Sequence, residues 1–180
     1  GRDLTRARLD NTELCYADLA GAKMSRVTLR AAHLCDANLS GADLRAANLS
    51  NSLLRQADLS TGRLQGVIAR GTDLSDANLC GADLTGGDLS GADCSGADLT
   101  RAVLAEARAP GLQLFGAVAR QTDLRQAVLR GARGGPGTVL EGVQLAGADL
   151  SEACLGGTHF MAVDLEGAAL DRADFSRTRF

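Results

Sequence analysis

Apolar residues recur at every fifth position along this chain. Between 77 and 100 the sequence reads ANLCGADLTGGDLSGADCSGADLT, and one slot in it holds a leucine or, once, a cysteine (Leu79, Leu84, Leu89, Cys94, Leu99). Alanine or glycine stands two residues before each of them. A period of five fits neither the 3.6 residues of an α-helix nor the two residues of a β-strand. The pattern therefore predicts a backbone that turns a corner once in every five residues.

The five-residue pattern extends over nearly the whole chain. We name the leucine slot the centre of each repeat and number the other positions from it, from minus-two to plus-two. Centres follow one another from Leu4 to Leu129, shift by one residue within 131–138, and resume from Leu140 to Phe180. Of these 35 centres, 27 are leucine, and the minus-two position is usually alanine. A regularity of this length predicts a repeat protein.

The phrase Ala-(Asp/Asn)-Leu-x-x resembles the pentapeptide-repeat family. The resemblance implies an all-β fold, a right-handed quadrilateral parallel β-helix in which four pentapeptides form one coil. Centre and minus-two side chains would point inward, and about nine coils would form a rod of about 40 Å at the spacing of parallel strands. We expect a single domain over 1–180, with a first repeat block at 1–130, a loop with the register slip at 131–138, and a second block at 139–180. Each coil would bury its core against its neighbours.

Composition agrees with a thin, non-membrane rod. Aromatic residues make up 3% of the chain and tryptophan is absent, as expected of a narrow tube. No run of about 18 apolar residues occurs, so the sequence predicts no membrane span. The five cysteines have no paired spacing, which favours a reducing compartment such as the cytoplasm. Because the chain opens at Gly1 without a methionine, a plastid or other organelle is the alternative if a targeting peptide preceded it.

The only candidate metal ligands cluster in the first two coils. Glu13 and Cys15 stand one coil before His33 and Cys35, so all four should stack on one face. These groups are suitable zinc ligands, but stacking from coil to coil produces such coincidences often, and we expect no metal. A disulfide between the two thiols is disfavoured because parallel neighbours direct their Cβ atoms alongside each other.

No catalytic arrangement is visible in the sequence. The two histidines, His33 and His159, are more than six coils apart, and no glycine-rich loop opens a helix to hold phosphate. A rod without a cleft also offers nothing to exclude water from a reacting centre. The sequence predicts a protein that is not an enzyme and that needs no cofactor.

Charge alternates in blocks along the chain. The net charge is about +3 over 1–70, −6 over 71–100, +4 over 101–133 and −4 beyond, which sums to −3. In the second block four aspartates precede successive centres and would ring one coil as an acidic belt (Asp83, Asp88, Asp93, Asp98). The other interpretation is that Asp or Asn before the centre is the structural preference of the family.

Two non-catalytic functions remain. The first is a scaffold or accessory subunit that presents a rigid surface to a protein partner. The second is suggested by similarity to the quinolone-resistance pentapeptide proteins, which bind type II topoisomerases (gyrase) as DNA mimics and dimerise through Phe-rich C-terminal coils. Phe160, Phe175 and Phe180 are compatible with such an end. A mimic should be acidic along its length, so the alternating charge favours the scaffold, without direct binding of nucleic acid.

Apolar residues in outward slots mark the expected partner contact. Val103, Val118 and Val128 occupy the slot before the centre, which is usually Asp or Asn, and Phe115 follows its centre. Leu112 lies in a broken repeat, Ala109-Pro110-Gly111-Leu112, where proline predicts a bulge or distorted corner. Arginines would surround these residues as a polar rim. The alternative is that the distorted coil buries Phe115 and Leu112 against itself.

Overall fold

A computed structural model describes residues 2–179 as a four-sided solenoid. Parallel β-bridges join each minus-one residue to its equivalent in the next coil, as in the column from Asp3 through Lys23 to Asp43. Four such columns run along the rod and define its faces. We number them face 1 to face 4 by their first residues (Asp3, Arg8, Glu13, Asp18). The predicted quadrilateral β-helix is thereby confirmed.

Successive coils are joined by short ladders of backbone hydrogen bonds. Leu4 N donates to Lys23 O of the next coil (2.7 Å), and Lys23 N donates back to Arg2 O (2.9 Å). Within the described residues, three segments pair over three consecutive positions, namely β1 (Val118–Arg120), β2 (Val139–Glu141) and β3 (His159–Met161). They form one parallel sheet in that order, on face 4.

Type II turns form the corners of the coils. In most repeats the minus-two N–H donates to the preceding centre carbonyl, as Ala7 N does to Leu4 O at 3.0 Å. Every described residue with positive φ, 19 of them non-glycine and 16 of them glycine, immediately precedes a minus-two residue. A type II turn requires positive φ at its third residue, where glycine is favoured. This explains why glycine recurs at plus-two.

The Asp or Asn before the centre stabilises the corner that follows it. All 16 such residues accept a hydrogen bond at Oδ1 from the plus-one N–H, as Asp58 does from Ser60 (2.9 Å) and Asp174 does from Ser176 (2.8 Å). The backbone and hydroxyl hydrogen bonds from Ser176 hold the pKa of Asp174 below its usual value. The family pattern therefore has a local physical cause, since an otherwise free N–H finds an acceptor.

The core is a continuous stack of centre and minus-two side chains, buried from Leu19 to Phe160. Alanine fills most minus-two slots because little space remains beside the leucines. Cys94 replaces a leucine and is fully buried, and burial raises the pKa of its thiol to about 12. Centres in the first and last described coils, such as Leu4 and Leu165, are only partly buried since they pack against one neighbouring coil.

The expected distortion at Pro110 is absent, and that prediction was wrong. Pro110 occupies plus-one of a regular type II turn, the position that proline favours because its φ is already fixed. Its carbonyl accepts from Gly91 N at 2.9 Å, and Gly111 N donates to Arg130 O at 2.8 Å. Proline lacks the N–H that a minus-one carboxylate would bind, and Arg108 stands there instead.

The register slip is a repeat of six residues, 132–137. Gly134 fills a centre slot and donates to Cys154 O (2.9 Å), and the extra residue, Gly135, begins the next turn. That turn, Gly135 to Thr138, has proline second and glycine third, as type II prefers, and it closes with Thr138 N donating to Gly135 O (3.0 Å). The bridges then join positions that are one residue further apart, as in Asp123 to Gln144, so the columns continue unbroken.

Candidate functional site

Exposed and half-buried apolar side chains gather at face 4, where β1, β2 and β3 lie side by side. Val118 pairs with Val139 in the next coil, and Val139 pairs with His159 in the one after. Phe115 and Met161 flank this column and are 40% and 45% exposed, although both are large apolar residues. We name this surface the face-4 patch (Phe115, Val118, Pro136, Val139, Met161).

The patch is smooth because glycines line one of its sides. Gly96, Gly116, Gly137 and Gly157 occupy successive plus-two positions at the corner that leads onto face 4. A Cβ on Gly137 would lie 3.7 Å from the Gly116 Cα, and one on Gly157 would lie 3.2 Å from Pro136 Cγ. Without side chains at these plus-two positions, a partner can approach the valines and Phe115 closely.

Arginines surround the patch. The Arg133 guanidinium carbon lies 5.8 Å from the centre of the Phe115 ring, a cation–π distance. Arg120 pairs with Glu141 (3.0 Å), whereas Arg101 donates to the amide oxygen of Gln121 (3.2 Å). Within residues 2–179, two further arginines near the C-terminal end of the face have no ion pair (Arg177, Arg179).

Two hollows flank the face-4 patch. One, of about 410 Å³, follows the corner after face 4 and includes Arg101, Arg120 and Glu141 in its lining. The other, of about 280 Å³, lies toward the C-terminal end and is bordered by Pro136, Val139, His159, Arg177 and Arg179. The surface thus combines an apolar centre with polar recesses at its edges, which is the anatomy of a recognition surface.

The structure brings only two of the five predicted contact residues together. Val118 lies on face 4 and Phe115 at the corner that leads onto it, whereas Val103 lies on face 1 and Val128 on face 2. All three valines are half-buried. Leu112 is 1% exposed, so its assignment to the contact surface was wrong. It packs inward in a column between Ala92 and Ala132, and the neighbouring centre column holds the small residues Cys94 and Gly134, which leave volume for it.

Sequence reasoning missed Val139, Pro136 and Met161. These residues follow the register slip, and their position relative to Val118 depends on the size of the inserted segment. The signal that could have found them is the single extra residue per coil across the slip, which places Val139 directly beside Val118.

The acidic belt surrounds one coil, with one aspartate on each face. Each of its four members accepts a plus-one N–H, as expected of a turn cap. Neighbouring coils supply further partners, since Arg70 pairs with Asp88 at 2.6 Å and Gln65 Nε2 donates to Asp83 at 2.5 Å. Although burial opposes it, hydrogen bonding from Thr85 and Gln65 keeps the pKa of Asp83 below its usual value. A binding role for the belt stays a prediction.

The four candidate metal ligands lie near one another as two pairs. His33 Nδ1 is 2.9 Å from Glu13 Oε1, and Cys15 and Cys35 are free thiols at the adjacent corner. Burial and the neighbouring Cys15 raise the pKa of Cys35. Among residues 2–179, no group of three or more His, Cys, Asp or Glu side chains is arranged to hold a metal ion. Over the same residues, no helix is long and apolar enough to cross a membrane.

The phenylalanines of the last coils differ in burial. Phe160 is fully buried, and its ring meets that of the half-buried Phe175 edge-on, with centroids 5.6 Å apart. Phe160 therefore acts as a core residue. Phe180 lies outside the described residues, and dimerisation through this end stays a prediction.

Comparisons with known proteins agree with the fold. The chain is similar to HetL, a pentapeptide repeat protein involved in heterocyst differentiation regulation from the cyanobacterium Nostoc sp. strain PCC 7120, with 28% identity over 99% of this chain and 86% of that one, and a TM-score of 0.58. It also resembles full-length QnrB1, a plasmid-mediated fluoroquinolone resistance protein, with 20% identity, coverage of 96% and 84%, and a TM-score of 0.50. The QnrB1 likeness shows the fold alone.

A search of curated proteins found no match. A family model for pentapeptide repeats matches the chain in eight copies, over residues 1–30, 22–60, 63–93, 88–118 and 136–160. These matches cover well over half of the sequence and coincide with the repeats that form the coils. The chain therefore belongs to the pentapeptide repeat family.

Proposed function

We propose that this protein is a non-enzymatic scaffold that binds a protein partner through the face-4 patch. The observation that carries the proposal is the clustering of Phe115, Val118, Val139 and Met161 on one face of a rod whose minus-one column elsewhere is mostly polar. Contiguous apolar surface with a polar rim is typical of protein interaction sites. Family members generally act as structural or binding proteins, and this agrees with the proposal.

The rod is suited to binding because its surface is already ordered. The backbone under the patch is held on both sides by the parallel ladder, with β2 between β1 and β3. A preformed surface loses little conformational entropy when a partner docks. Burying one apolar side chain of this size contributes about 1.5–3 kcal/mol, so two or three anchors suffice for a specific contact.

The alternative function, mimicry of DNA toward gyrase with quinolone protection, receives less support. The first half of face 4 carries a ladder of Asp18, Asn38, Asp58, Asn78 and Asp98. Asn38 Nδ2 donates to Asp18 (3.3 Å) and Asn78 Nδ2 donates to Asp58 (3.1 Å), so amides separate the carboxylates. The second half of the same face carries Arg120 and Arg179, and Arg101 and Arg177 lie at its corners. Such a field differs from the uniform negative charge of a phosphate backbone.

Site-specific photocrosslinking tests the proposed contact. A photoreactive residue is placed at Phe115 or, as a control of matched exposure, at Ile68 on face 2, which is 38% exposed. In extract of the native source, the Phe115 probe should yield one dominant protein adduct that the Ile68 probe does not. An adduct consisting of a second copy of this chain would indicate self-association through face 4. Identical adducts from both positions would contradict the proposal.

Substitution then measures the contact. Replacing Phe115 and Val118 together by Ser should weaken binding of the crosslinked partner at least tenfold, because each loses apolar area that the interface buries. Ile68→Ser should leave the affinity unchanged. The thermal stability of the rod should hardly move, because both side chains are partly exposed; unfolding of the double variant would identify them as core residues. Inhibition of gyrase supercoiling by the intact protein, abolished by reversing the acidic belt to Lys, would instead support the mimic.

A further inference from the structure

The charge of the side chains on and around face 4 changes sign along the rod. The first half of the face presents Asp18, Asp58 and Asp98, with asparagines between them. Around the face-4 patch the balance reverses, since five arginines lie near it (Arg101, Arg120, Arg133, Arg177, Arg179). They outnumber the three nearest carboxylates, which are Glu141, Asp98 beside Val118, and Asp174 beside Gly156. Within residues 2–179, Arg120 is the only one of these five arginines with a carboxylate at ion-pair distance. The patch therefore carries an excess of positive charge that the described chain does not neutralise.

The hollow toward the C-terminal end is suited to a carboxylate. Arg177 and Arg179 come from successive repeats and border it together with His159. Gly157 also borders it and has no side chain to fill the space. Two guanidinium groups that share a small recess repel each other unless an anion lies between them, and their planar donors match a carboxylate in bidentate geometry.

The hollow on the opposite side of the patch is also cationic. Arg101 borders it and has no carboxylate partner within residues 2–179; its Nε donates to the Gln121 side chain. Arg120 borders the same hollow and forms an ion pair with Glu141. Phe115, Val118 and Val139 lie between the two recesses. An occupant complementary to this surface has an apolar middle and negative ends.

We propose that the partner docks on face 4 through an acidic segment, in which apolar side chains cover Phe115, Val118 and Val139 and flanking Asp or Glu carboxylates enter the two hollows. The proposal rests on the protein-binding function proposed above and specifies the chemistry of the partner. Nucleic acid would supply negative charge to both recesses, but its phosphates would gain nothing from the apolar surface between them.

Selection from a random library of linear dodecapeptides displayed on phage tests the proposal. Peptides retained by the immobilised rod should combine aliphatic or aromatic residues with flanking Asp or Glu. A selected peptide, made synthetically, should bind at least tenfold more weakly when its acids are replaced by Asn and Gln. It should lose affinity similarly for the variant with Arg101→Glu, Arg177→Glu and Arg179→Glu. Arg6→Glu with Arg26→Glu, a matched change at a distant basic corner, should leave binding unchanged.

The outcomes separate this proposal from the proposed function. The proposal of an acidic partner would be overturned by selected peptides without an acidic excess, or by equal affinity of the rod for the acidic peptide and its Asn and Gln version. If such peptides nevertheless lost binding to the Phe115→Ser variant, docking on face 4 would still be supported. Acidic peptides insensitive to Phe115→Ser and Val118→Ser would refute the placement on face 4. Failure to select any peptide, or tighter binding of a duplex DNA probe, would also overturn the proposal. Circular dichroism of each variant checks that the fold is retained.

Discussion

Two buried threonines on the same rod should respond to the same substitution with opposite signs. Thr122 and Thr158 both occupy minus-two slots and are 0% exposed. Thr122 Oγ1 donates to Leu99 O at 2.7 Å. Thr158 Oγ1 has no hydrogen-bond partner among the described residues. Valine has nearly the shape of threonine, so the substitution chiefly exchanges a hydroxyl for a methyl group.

The expected magnitudes follow from the cost of burying polar groups. A desolvated hydroxyl without a partner costs about 1–3 kcal/mol, so Thr158→Val should raise the free energy of unfolding by about that amount. Thr122→Val should lower it by about 0.5–1.5 kcal/mol, the net value of one hydrogen bond. Leu99 O retains the bond from Ala102 N (2.9 Å), so no carbonyl is left unpaired.

Urea and thermal unfolding, followed by far-ultraviolet circular dichroism, measure both effects. For a chain of this size, 1 kcal/mol moves Tm by about 2–4 °C, so the two variants should differ by several degrees. Equal destabilisation by both would refute the reasoning. It would mean that Thr158 finds an acceptor in solution, for which Leu155 O is placed as Leu9 O is placed for Thr12.

Three further predictions concern acid, thiols and the proline corner. Carboxylates whose pKa is lowered by folding contribute stability above pH 4, and this stability is lost as pH falls through their folded pKa values. Because Arg30 holds the pKa of Asp10 at about 2, from 3.8, the urea midpoint should stay constant from pH 7 to 5 and fall between about pH 4 and 2. A midpoint that rises on acidification would contradict this. In native protein Cys94 should not react with a thiol reagent, while in urea all five cysteines react; equal native reactivity would place it outside the core. Pro110→Ala should lower stability by about 0.4–1 kcal/mol, because the unfolded chain gains freedom; a more stable variant would indicate a strained corner.

The period of five predicted a corner in every five residues, and the resemblance to the pentapeptide repeat family supplied the four-sided coil with its inward centre and minus-two side chains. Pro110 was misjudged because it was treated as a strand residue, whereas a turn position accommodates its fixed φ. Leu112 was misjudged because a large side chain in a small slot suggests disruption, and only the stacking of coils shows the smaller neighbours that accommodate it. Those neighbours stand a whole coil away in sequence, beyond any local pattern.

The candidate site was less predictable for a related reason. Phe115 and Val118 stood out as exceptions to the polar columns, but Val139 and Met161 joined them only through the bridge spacing across the slip. A surface on a solenoid consists of residues separated by whole coils, so one uncertain insertion displaces every later member of a column. The arginines of the rim carry no spacing signal of their own, and their pairing depends on side-chain geometry.

Because every coil contains four repeats, the number of repeats between two residues fixes how they are oriented relative to each other around the rod. Adding or removing whole coils far from the patch would change the length of the rod and leave the patch on the same side. Adding or removing a single repeat would keep every leucine inward and every corner intact, yet would rotate one part of the rod by a quarter turn against the other. Any two features on this surface can thus be reoriented in steps of about 90° by whole repeats. Gain or loss of single repeats would change which way a bound partner faces while the fold itself is preserved.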